Sequence, residues 1–319
     1  MKAIVTGGAG FVGSRLAAVL AERGHDVLAV DCFTDYYDRS IKERNVDRLT
    51  SVGAKFLDAD LLKADLQSLL ADASLIFHQA GQPGVRSSWG REFAHYLDAN
   101  ISLTQKILEA VKSSDTLSRF VYASSSSVYG DAESFPTSED SLTRPVSPYG
   151  VSKLAAEHLC SLYARNFGVP TISLRYFTVY GPGQRPDMAF TRFTRAAVTG
   201  GEIDVYGDGN QVRDFTYIDD IVEANIAAAL APDIHPGTVL NVAGGSSTTI
   251  RDALELLRPW SSRGFTVRFH PTVSGDVYRT GGDTSRIRAM LGWYPKVSLE
   301  DGLKAQFAWA QQSFSEGKA

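Results

Sequence analysis

A tyrosine and a lysine placed four residues apart, Tyr149 and Lys153, carry the clearest chemical potential in this chain. The residues up to Asn166 have a helical pattern, and on a helix two side chains at that spacing lie one above the other. A lysine beside a tyrosine favours the phenolate, and so lowers a phenol pKa that is ordinarily about 10. The pair is therefore a candidate general base at working pH. Taken alone, such a pair is more often part of a solvated helix surface, so the other motifs must decide.

A glycine-rich turn near the start of the chain predicts a dinucleotide site. An apolar run at 2–6 is typical of a strand, Gly7, Gly10 and Gly13 follow it, and a helical pattern leads to a second strand that ends in Asp31. Gly7 permits the tight turn, Gly10 lets backbone N–H groups approach a pyrophosphate, and Gly13 allows the helix to pack closely on the sheet. Asp31 can accept both ribose hydroxyls, and its carboxylate repels a 2′-phosphate. The pattern therefore predicts NAD rather than NADP.

A run of serines is the third chemical feature. Residues 124–127 are all serine, and they lie between a predicted strand at 120–123 and a Val-Tyr-Gly sequence at 128–130. In parallel sheets the C-terminal ends of the strands face the ligand crevice. A hydroxyl at this place could bind the substrate oxygen that Tyr149 deprotonates, although a simple serine-rich turn is the alternative interpretation.

The elements that must position these residues alternate between strand and helix patterns as far as Phe177. Further strands are predicted at 55–57, 75–78 and 171–175, and helices at 101–112 and 153–166. Such alternation is typical of an α/β fold with a Rossmann-type, doubly wound parallel sheet.

The pattern loosens after Phe177, where short strands and glycine-rich turns separate later helices at 224–230 and 249–260. We therefore expect an NAD-binding domain at 1–177 that is rejoined by about 214–243. Residues 178–319 are expected to form a smaller substrate-binding lobe that closes over the crevice.

Composition is typical of a cytoplasmic enzyme. A chain of 319 residues with 44% hydrophobic content can bury one large core and a smaller lobe. The two cysteines, Cys32 and Cys160, indicate no disulfide framework and fit a reducing compartment. No apolar run approaches the roughly 20 residues that span a bilayer, and the first strand leaves no room for a signal peptide. The net charge of −4 argues against nucleic acid as a partner, and the six histidines lack metal-ligand spacing.

Together these motifs resemble the extended short-chain dehydrogenase/reductase family, the nucleotide-sugar epimerases and dehydratases, over essentially the full length. The matching segments are 7–13, Asp31, Asp60-Leu61, the serine run with 128–130, 149–153, and 213–220. The resemblance implies a catalytic set of Ser125, Tyr149 and Lys153.

The resemblance also implies the contacts with NAD. Asp60 and Leu61 would contact adenine, Ala80 and Gly81 would line the cofactor, and Asn100 would hold backbone near it. The full set expected at the cofactor is Gly7, Gly10, Phe11, Val12, Gly13, Asp31, Asp60, Leu61, Ala80, Gly81, Asn100, Tyr149, Lys153 and Tyr176, the last flanking the nicotinamide.

Within the family the chain is most similar to the UDP-glucuronate 4-epimerases, on the segments 35–38, 84–86, 177–182 and 185–189. Dehydratases of the family carry an Asp-Glu pair just before the Val-Tyr-Gly sequence, and decarboxylases typically carry a glutamate in that turn. This chain has Ser126 and Ser127 there, which can donate hydrogen bonds to a carboxylate but cannot act as carboxylic acids. The resemblance implies an isomerase that inverts C4 of a UDP-sugar through a transient 4-keto intermediate.

Candidates for holding a sugar carboxylate follow from the same comparison. Ser126, Ser127 and Thr178 are hydroxyl donors, and Arg185 adds a charge-assisted donor. Arg192 is a second arginine candidate for the same carboxylate.

The UDP end of the substrate is expected to meet other residues. Arg213 would bind the diphosphate with Arg86 assisting, and Tyr206 would lie against uracil. Many sugar epimerases have another arginine just before the sequence matched here by Gly275-Asp276, and this chain has none there. Arg279 is the candidate to replace that phosphate contact.

Other activities remain open from the sequence. A sister enzyme acting on neutral UDP-hexoses, or decarboxylating the uronate, is the second interpretation. A nucleotide-sensing protein without turnover is the third, and an intact Ser125, Tyr149 and Lys153 argues against it. Helices 101–112 and 153–166 match those that pair the dimers of the family, which implies a homodimer.

Overall fold

Seven parallel strands form the central sheet of the computed structural model, which describes residues 1–314. The strands of the described residues are, in chain order, β1 (Lys2–Thr6), β2 (Asp26–Asp31), β3 (Lys55–Asp58), β4 (Leu75–His78), β5 (Arg119–Ser125), β6 (Thr171–Tyr176), β7 (Thr178–Tyr180), β8 (Glu202–Tyr206), β9 (Val212–Tyr217), β10 (Thr238–Val242), β11 (Ser247–Thr249) and β12 (Thr266–His270). The central order is β10-β6-β5-β4-β1-β2-β3. It reverses between β1 and β4, where open α/β sheets bind their ligands. The predicted α/β class with a Rossmann-type sheet is confirmed.

Helices cover both faces of this sheet. The helices of the described residues are α1 (Phe11–Glu22), α2 (Arg39–Ser51), α3 (Leu66–Leu70), α4 (Phe93–Tyr96), α5 (Leu103–Val111), α6 (Pro148–Phe167), α7 (Ala189–Thr199), α8 (Ile218–Leu230), α9 (Ile250–Leu257), α10 (Ser285–Leu291) and α11 (Leu299–Phe314). Successive side chains of a strand point to opposite faces. In β1, Ala3 and Val5 pack in one hydrophobic cluster with α1 and α8, while Ile4 packs in a second cluster with α5 and α6.

Helix α6 begins at Pro148, five residues before the start predicted from the sequence. Ser147 caps it, because its side chain accepts a hydrogen bond of 3.1 Å from the backbone N–H of Gly150. Proline is favoured in the first turn of a helix, where its missing N–H costs nothing. The early start places Tyr149 inside the first turn, in fixed register with Lys153.

The predicted helix at 101–112 is interrupted in the structure. Residues Leu97–Ser102 are π-helical, and α5 begins only at Leu103. Such π-helical turns are rare and occur frequently at functional sites. Here the turn carries Asn100, whose side chain is buried.

The second half of the chain contributes to two regions. Strand β10 lies beside β6 at the edge of the central sheet, with Thr238 opposite Ile172. The remaining late strands form a three-stranded sheet, β11-β9-β7, and a two-stranded sheet, β12-β8. Helices α7, α9 and α11 pack on these small sheets around a separate hydrophobic cluster that includes Phe190 and Phe215.

Two further features concern function classes. Among residues 1–314 no helix has both the length and the apolar character that crossing a membrane requires. The same residues contain no cluster of three or more side chains suited to a metal ion.

His78, which ends β4, is buried between the hydroxyls of Thr6 and Thr104, and burial lowers its pKa to about 3. It is a neutral core residue.

Candidate active site

Tyr149 and Ser125 meet at the C-terminal end of the central sheet. Ser125 is the last residue of β5 and lies opposite Tyr176 of β6, while Tyr149 reaches the same place from the first turn of α6. Burial raises the pKa of Tyr149, and a hydrogen bond with Ser125 and the positive charge of Arg185 oppose that rise. The Ser125 hydroxyl and the Arg185 guanidinium therefore both influence the pKa of the Tyr149 phenol in this crevice.

Lys153 is placed differently from the sequence expectation. Its ammonium nitrogen lies 4.7 Å from the centroid of the Tyr122 ring, and burial lowers its pKa to about 8. Burial of the Tyr149 phenol outweighs the charges around it, and the positive charge that opposes the rise in its pKa is that of Arg185. The expected effect of Lys153 on the pKa of Tyr149 stays a prediction. Lys153 still faces the crevice, since its nitrogen lies beside Gly81.

The glycine turn after β1 has the shape that a pyrophosphate requires. Gly7 has a φ of +69°, and a side chain on Gly13 would collide with the carbonyl oxygen of Gly7, 2.2 Å from its Cβ position. Helix α1 begins directly after Gly10 with Phe11 and Val12, and its first turn carries no acidic side chain. Its free N–H groups and positive dipole end therefore face an anion site. These residues fit the diphosphate of NAD.

Asp31 ends β2 beside this turn. Its carboxylate accepts hydrogen bonds from the backbone N–H groups of Ala9 at 3.2 Å and Phe33 at 2.9 Å. The buried ammonium of Lys42 lies 3.9 Å from it. The carboxylate is thus held at the mouth of the turn by backbone donors, in the place where ribose hydroxyls are expected.

We expect replacement of Asp31 by asparagine to weaken NAD binding and to relax discrimination against NADP by roughly tenfold, since a charged acceptor is replaced by a neutral one. Lys42 would then present an uncompensated positive charge to a 2′-phosphate. Titration of both cofactors into the variant measures the effect. Asp26→Asn is the matched control, because Asp26 is an exposed residue at the other end of β2. An unchanged cofactor preference would place the selectivity elsewhere.

Three loops complete the cofactor crevice. Asp60 and Leu61 follow β3, and Asp60 accepts a hydrogen bond of 3.0 Å from the backbone N–H of Leu62 while Leu61 is buried. Ala80 follows β4 and donates its backbone N–H to the hydroxyl of Thr6 at 3.1 Å. The turns after β1, β3 and β4 therefore all lie at the C-terminal end of the central sheet.

Asn100 holds the loop after β4 from the π-helical turn. Its side-chain oxygen accepts from the N–H of Gln82 at 2.7 Å, and its amide donates to the carbonyl of Gln82 at 3.1 Å and to the hydroxyl of Ser152 at 2.8 Å. A side chain on Gly81 would lie 2.8 Å from the Asn100 oxygen, which explains the glycine. Asn100 thus holds backbone near the expected cofactor, as the resemblance implied.

Tyr176 is anchored by two residues that the sequence analysis missed. Its hydroxyl donates to Asn225 at 2.8 Å and accepts from the amide of Gln79 at 3.0 Å, and burial raises its pKa. Gln79 follows β4 directly, so its position as a polar residue at a strand's C-terminal end was a usable signal. Asn225 comes from α8, and nothing in the local sequence pointed to it.

The serine turn lies directly beyond Ser125. Residues 126–128 form a 3₁₀ turn, and the Ser125 hydroxyl accepts a hydrogen bond of 3.1 Å from the N–H of Ser127. Ser126, Ser127 and Thr178 are partly exposed, and β7 places Thr178 just after β6. Several hydroxyl groups are therefore available close to the catalytic pair.

Arg185 is mostly buried although it lies in a loop. Its side chain is 19% exposed, and it makes two hydrogen bonds of 3.0 Å to Asp187. These bonds to Asp187 raise its pKa against the effect of burial. The guanidinium is close enough to Tyr149 for each group to influence the pKa of the other.

A second cluster forms around Tyr206, at the end of β8. The guanidinium of Arg86 lies 4.3 Å from the centroid of the Tyr206 ring and donates to Asp276 at 2.6 Å. On the other side, His270 stacks on the Tyr206 ring at 5.3 Å. Burial lowers the pKa of Arg213, which the charge of Asp276 opposes. Arg86, Tyr206 and Arg213 are therefore brought together, with Asp276 and His270 as members that the sequence analysis had not assigned.

Two predicted substrate residues are placed elsewhere. Arg192 pairs with Asp204 at 3.4 Å, and Asp204 in turn binds His270 at 2.6 Å. The structure therefore groups Arg192 with the Tyr206 cluster rather than with Tyr149. Arg279 has its guanidinium 3.3 Å from the centroid of the Phe135 ring, which directs it to that aromatic face. In both cases a partner distant in sequence determines the side-chain direction.

Comparison with known proteins agrees with this geometry. The model of the family described as NAD dependent epimerase/dehydratase matches residues 3–243. The structure of a UDP-glucuronic acid 4-epimerase from Bacillus cereus, in complex with UDP-glucuronic acid and NAD, aligns with a TM-score of 0.94 and 42% identity, covering 98% of this chain and 99% of that one. A protein of Bacillus subtilis (strain 168), named an uncharacterized UDP-glucose epimerase, is 40% identical over 97% of this chain and 98% of its own. A probable UDP-glucuronate 4-epimerase of Rhizobium meliloti (strain 1021) is 35% identical, and the alignment covers 98% of each chain.

Proposed function

We propose the following reaction from the premise that this chain belongs to the NAD-dependent epimerase/dehydratase family. The chain is an NAD-dependent isomerase that inverts C4 of UDP-glucuronate to produce UDP-galacturonate. The observation that carries the uronate assignment is the mostly buried guanidinium of Arg185 within electrostatic reach of Tyr149. A sugar whose 4-hydroxyl meets Tyr149 has its C5 substituent one bond further along the ring. A cation on that side of Tyr149 would bind a carboxylate at C6 more strongly than a neutral hydroxymethyl group.

Tyr149 moves the proton in this reaction. As a phenolate it would take the proton from the 4-hydroxyl, and it would return the proton when C4 is reduced again. Burial opposes the phenolate, and the Ser125 hydroxyl and the positive charge of Arg185 favour it. Bound NAD would supply the hydride acceptor and donor for C4 and would be regenerated in each turnover. Inversion requires that the 4-keto sugar turn over in the pocket, so that the hydride returns to the other face of C4. Ser125 would hold the reacting oxygen, because its hydroxyl lies at the C-terminal end of β5, opposite Tyr176, where it also influences the pKa of Tyr149. Lys153 contributes a positive charge at the wall of the crevice beside Gly81.

The transient 4-keto sugar must be protected from a side reaction. A 4-keto uronic acid is a β-keto acid. It loses carbon dioxide when the C5–C6 bond is parallel to the π orbital of the C4 ketone, that is, perpendicular to the plane of the carbonyl group. Ser126 and Ser127 follow Ser125 directly, Thr178 begins β7, and Arg185 lies in the loop after β7; all four side chains can donate hydrogen bonds and none is a carboxylic acid. We assign to them the role of holding the carboxylate where cleavage is poorly aligned.

The UDP end of the substrate is assigned to the Tyr206 cluster. Arg86 and Arg213 supply positive charge for the diphosphate. The Tyr206 ring becomes a stacking face for uracil when Arg86, which lies over that ring in this structure, turns to the diphosphate. Arg86 already pairs with Asp276 in this structure, so it must exchange or share that partner when a diphosphate binds. Arg192 supports this cluster through Asp204 and His270.

A UDP-glucose 4-epimerase is the second candidate, and the Bacillus subtilis relative named a UDP-glucose epimerase favours it. Decarboxylation of UDP-glucuronate as the main reaction has less support, because Ser126 and Ser127 stand where that chemistry uses a carboxyl group. A protein that binds nucleotides without turnover would have no use for the arrangement of Ser125 with Tyr149.

One experiment separates these candidates. The purified protein is incubated with UDP-glucuronate and with UDP-glucose in separate reactions, and the products are resolved by NMR. UDP-galacturonate as the main product of the acid, formed faster than UDP-galactose from the neutral sugar, supports the proposal. Dominant formation of UDP-galactose or of a UDP-pentose would replace it, and no product from either sugar would favour the sensor.

We also assign the chain to a homodimer in the cytoplasm. Helix α6 exposes the apolar side chains of Val151, Leu162 and Phe167, and the turn before α5 exposes Leu97. Val151 and Leu162 are eleven residues apart and share one face of α6, so that face offers exposed apolar side chains for the helix pairing that the family resemblance implies. Both cysteines are free thiols, which suits a reducing compartment. Mass measurement by light scattering tests the dimer, and cell fractionation tests the location.

A further inference from the structure

Arg185 and Asp187 form a forked ion pair in the loop between β7 and α7. The Nε of Arg185 donates to Asp187 Oδ1 at 3.0 Å, and its Nη2 donates to Asp187 Oδ2 at 3.0 Å. Both bonds leave from the same edge of the planar guanidinium. A guanidinium has five N–H donors in a rigid fork. Three donors, on Nη1 and the other side of Nη2, are therefore left for a second partner.

The remaining edge of Arg185 has the donors that a second carboxylate needs, since Arg–carboxylate pairs are frequently bidentate. Its guanidinium lies 5.9 Å from the centroid of the Tyr36 ring, and the Ser87 hydroxyl links Tyr36 to Tyr96, with distances of 3.5 and 2.8 Å. The Tyr96 ring packs against that of Tyr149 at 6.2 Å, so this chain of contacts leads from Arg185 to the Tyr149 end of the crevice. We propose that Asp187 is a positioning residue for substrate choice: it holds one edge of Arg185 so that the opposite edge receives the C6 carboxylate of a UDP-uronate. This inference rests on the proposed function, because it assumes a uronate substrate.

Tyr36 supports Asp187 from the loop after β2. Its hydroxyl lies 3.4 Å from Asp187 Oδ2 and 3.5 Å from the hydroxyl of Ser87, and the Arg185 guanidinium lies 5.9 Å from the centroid of its ring. Three loops, those after β2, β4 and β7, therefore meet at the Tyr36 hydroxyl, which contacts both Ser87 and Asp187. The loop that carries Tyr36 begins directly after Asp31, so the residues that hold Arg185 are connected through this loop to the expected ribose site.

The backbone of the Arg185 loop is held without Asp187. Gln184 is buried, its amide donates to the carbonyl of Val179 at 2.8 Å, and its side-chain oxygen accepts from the N–H of Thr191 at 3.0 Å and from the amide of Gln306 at 3.0 Å. The side chain of Arg185, by contrast, has hydrogen bonds only to Asp187 within residues 1–314. Loss of the Asp187 charge should therefore free the side chain and leave the loop in place.

Loss of the Asp187 charge should change the turnover and the products of UDP-glucuronate. Replacing Asp187 by asparagine removes the charge at nearly constant size, and Arg185 then samples several rotamers. We expect kcat/KM for UDP-glucuronate to fall roughly tenfold, since small misplacement of a binding group is costly in the transition state. The fraction of UDP-pentose formed by loss of carbon dioxide should rise severalfold. Turnover of UDP-glucose and retention of NAD should stay unchanged.

Three further variants test whether Asp187 acts on the substrate through Arg185. Glu255→Gln removes the carboxylate partner of another arginine, Arg258, in an exposed pair on the second half of the chain, and should change nothing. Asp187→Glu keeps the charge and should restore part of the selectivity for the acid. Asp187→Asn should add no further loss in an Arg185→Ala background, because Asp187 acts through Arg185.

Kinetics on both sugars with product analysis give four outcomes. A selective loss on the acid with more pentose, absent in the Arg185→Ala background, supports the inference. Unchanged kinetics in Asp187→Asn together with a selective loss in Arg185→Ala overturns it and leaves the proposed function intact. A gain on the acid also overturns it, since Asp187 would then compete with the substrate. Unchanged acid preference in both variants overturns it along with the carboxylate role of Arg185.

Discussion

Replacing Tyr149 by phenylalanine is expected to lower turnover of UDP-glucuronate by at least about 100-fold while NAD remains bound. General acid–base catalysis by a positioned side chain contributes typically 10²- to 10⁴-fold, and only the phenol oxygen is lost. The ring of Tyr149, which packs edge-on against Tyr96, stays in place. The measurement is steady-state kinetics together with the NAD content of the purified variant.

A matched control lies on the same helix. Tyr163 of α6 hydrogen-bonds to Gln105 and Glu109, away from the crevice, and Tyr163→Phe should leave turnover close to the wild-type value. Near-normal turnover in Tyr149→Phe would remove the general-base assignment. Loss of NAD from that variant would instead assign its hydroxyl a role in holding the cofactor.

Replacing Arg185 by alanine is the second change with a large expected effect. A charge-assisted hydrogen bond is worth about 1.5–3 kcal/mol, so the preference for UDP-glucuronate over UDP-glucose should shift by about 10- to 150-fold. Because the Arg185 charge also opposes the rise in the pKa of Tyr149, both sugars should lose some turnover near neutral pH. The shift in preference should appear as an additional loss of kcat/KM that is confined to the acid. The looser carboxylate should also reach geometries from which carbon dioxide leaves, so the pentose by-product should increase.

Arg192→Ala provides the comparison for this result. Because Arg192 pairs with Asp204 beside the His270–Tyr206 stack, its loss should affect both sugars alike through the UDP site. Parallel kinetics of both variants on both sugars decide between the assignments. Equal losses on the two sugars in Arg185→Ala would mean that Arg185 shapes the loop or the phosphate site. A loss in Arg192→Ala confined to the acid would transfer the carboxylate role to Arg192.

Much of the fold could be predicted because its signals are local. The apolar run of β1, the glycines at 7, 10 and 13 and the acid at the end of β2 lie within one strand-turn-helix-strand unit. Element boundaries were less accurate. Helix α6 starts five residues early because Ser147 caps it, and β5 extends to Ser125 because it pairs along its length with β6. The division into two domains stays a prediction.

The chemistry of the site was determined by the sequence where the required spacing is set by one element. Tyr149 and Lys153 share a turn of helix, and Ser125 ends a strand, so their types and spacing already implied a base and a hydroxyl at one crevice. The glycines and Asp31 likewise implied NAD. Such inferences succeed because a helix or a strand end places its side chains whatever the rest of the chain does.

The partners of the charged side chains at the site are determined only by the tertiary structure. Lys153 turns to the Tyr122 ring, Arg185 is held by Asp187 beside Tyr149, and Arg192 pairs with Asp204. An arginine or lysine side chain is long and flexible, so its direction depends on partners that folding brings from distant segments and on how deeply burial penalises its charge. The sequence determined the reaction class through local geometry. The arrangement that selects the substrate depends on contacts between loops that meet only in the folded protein.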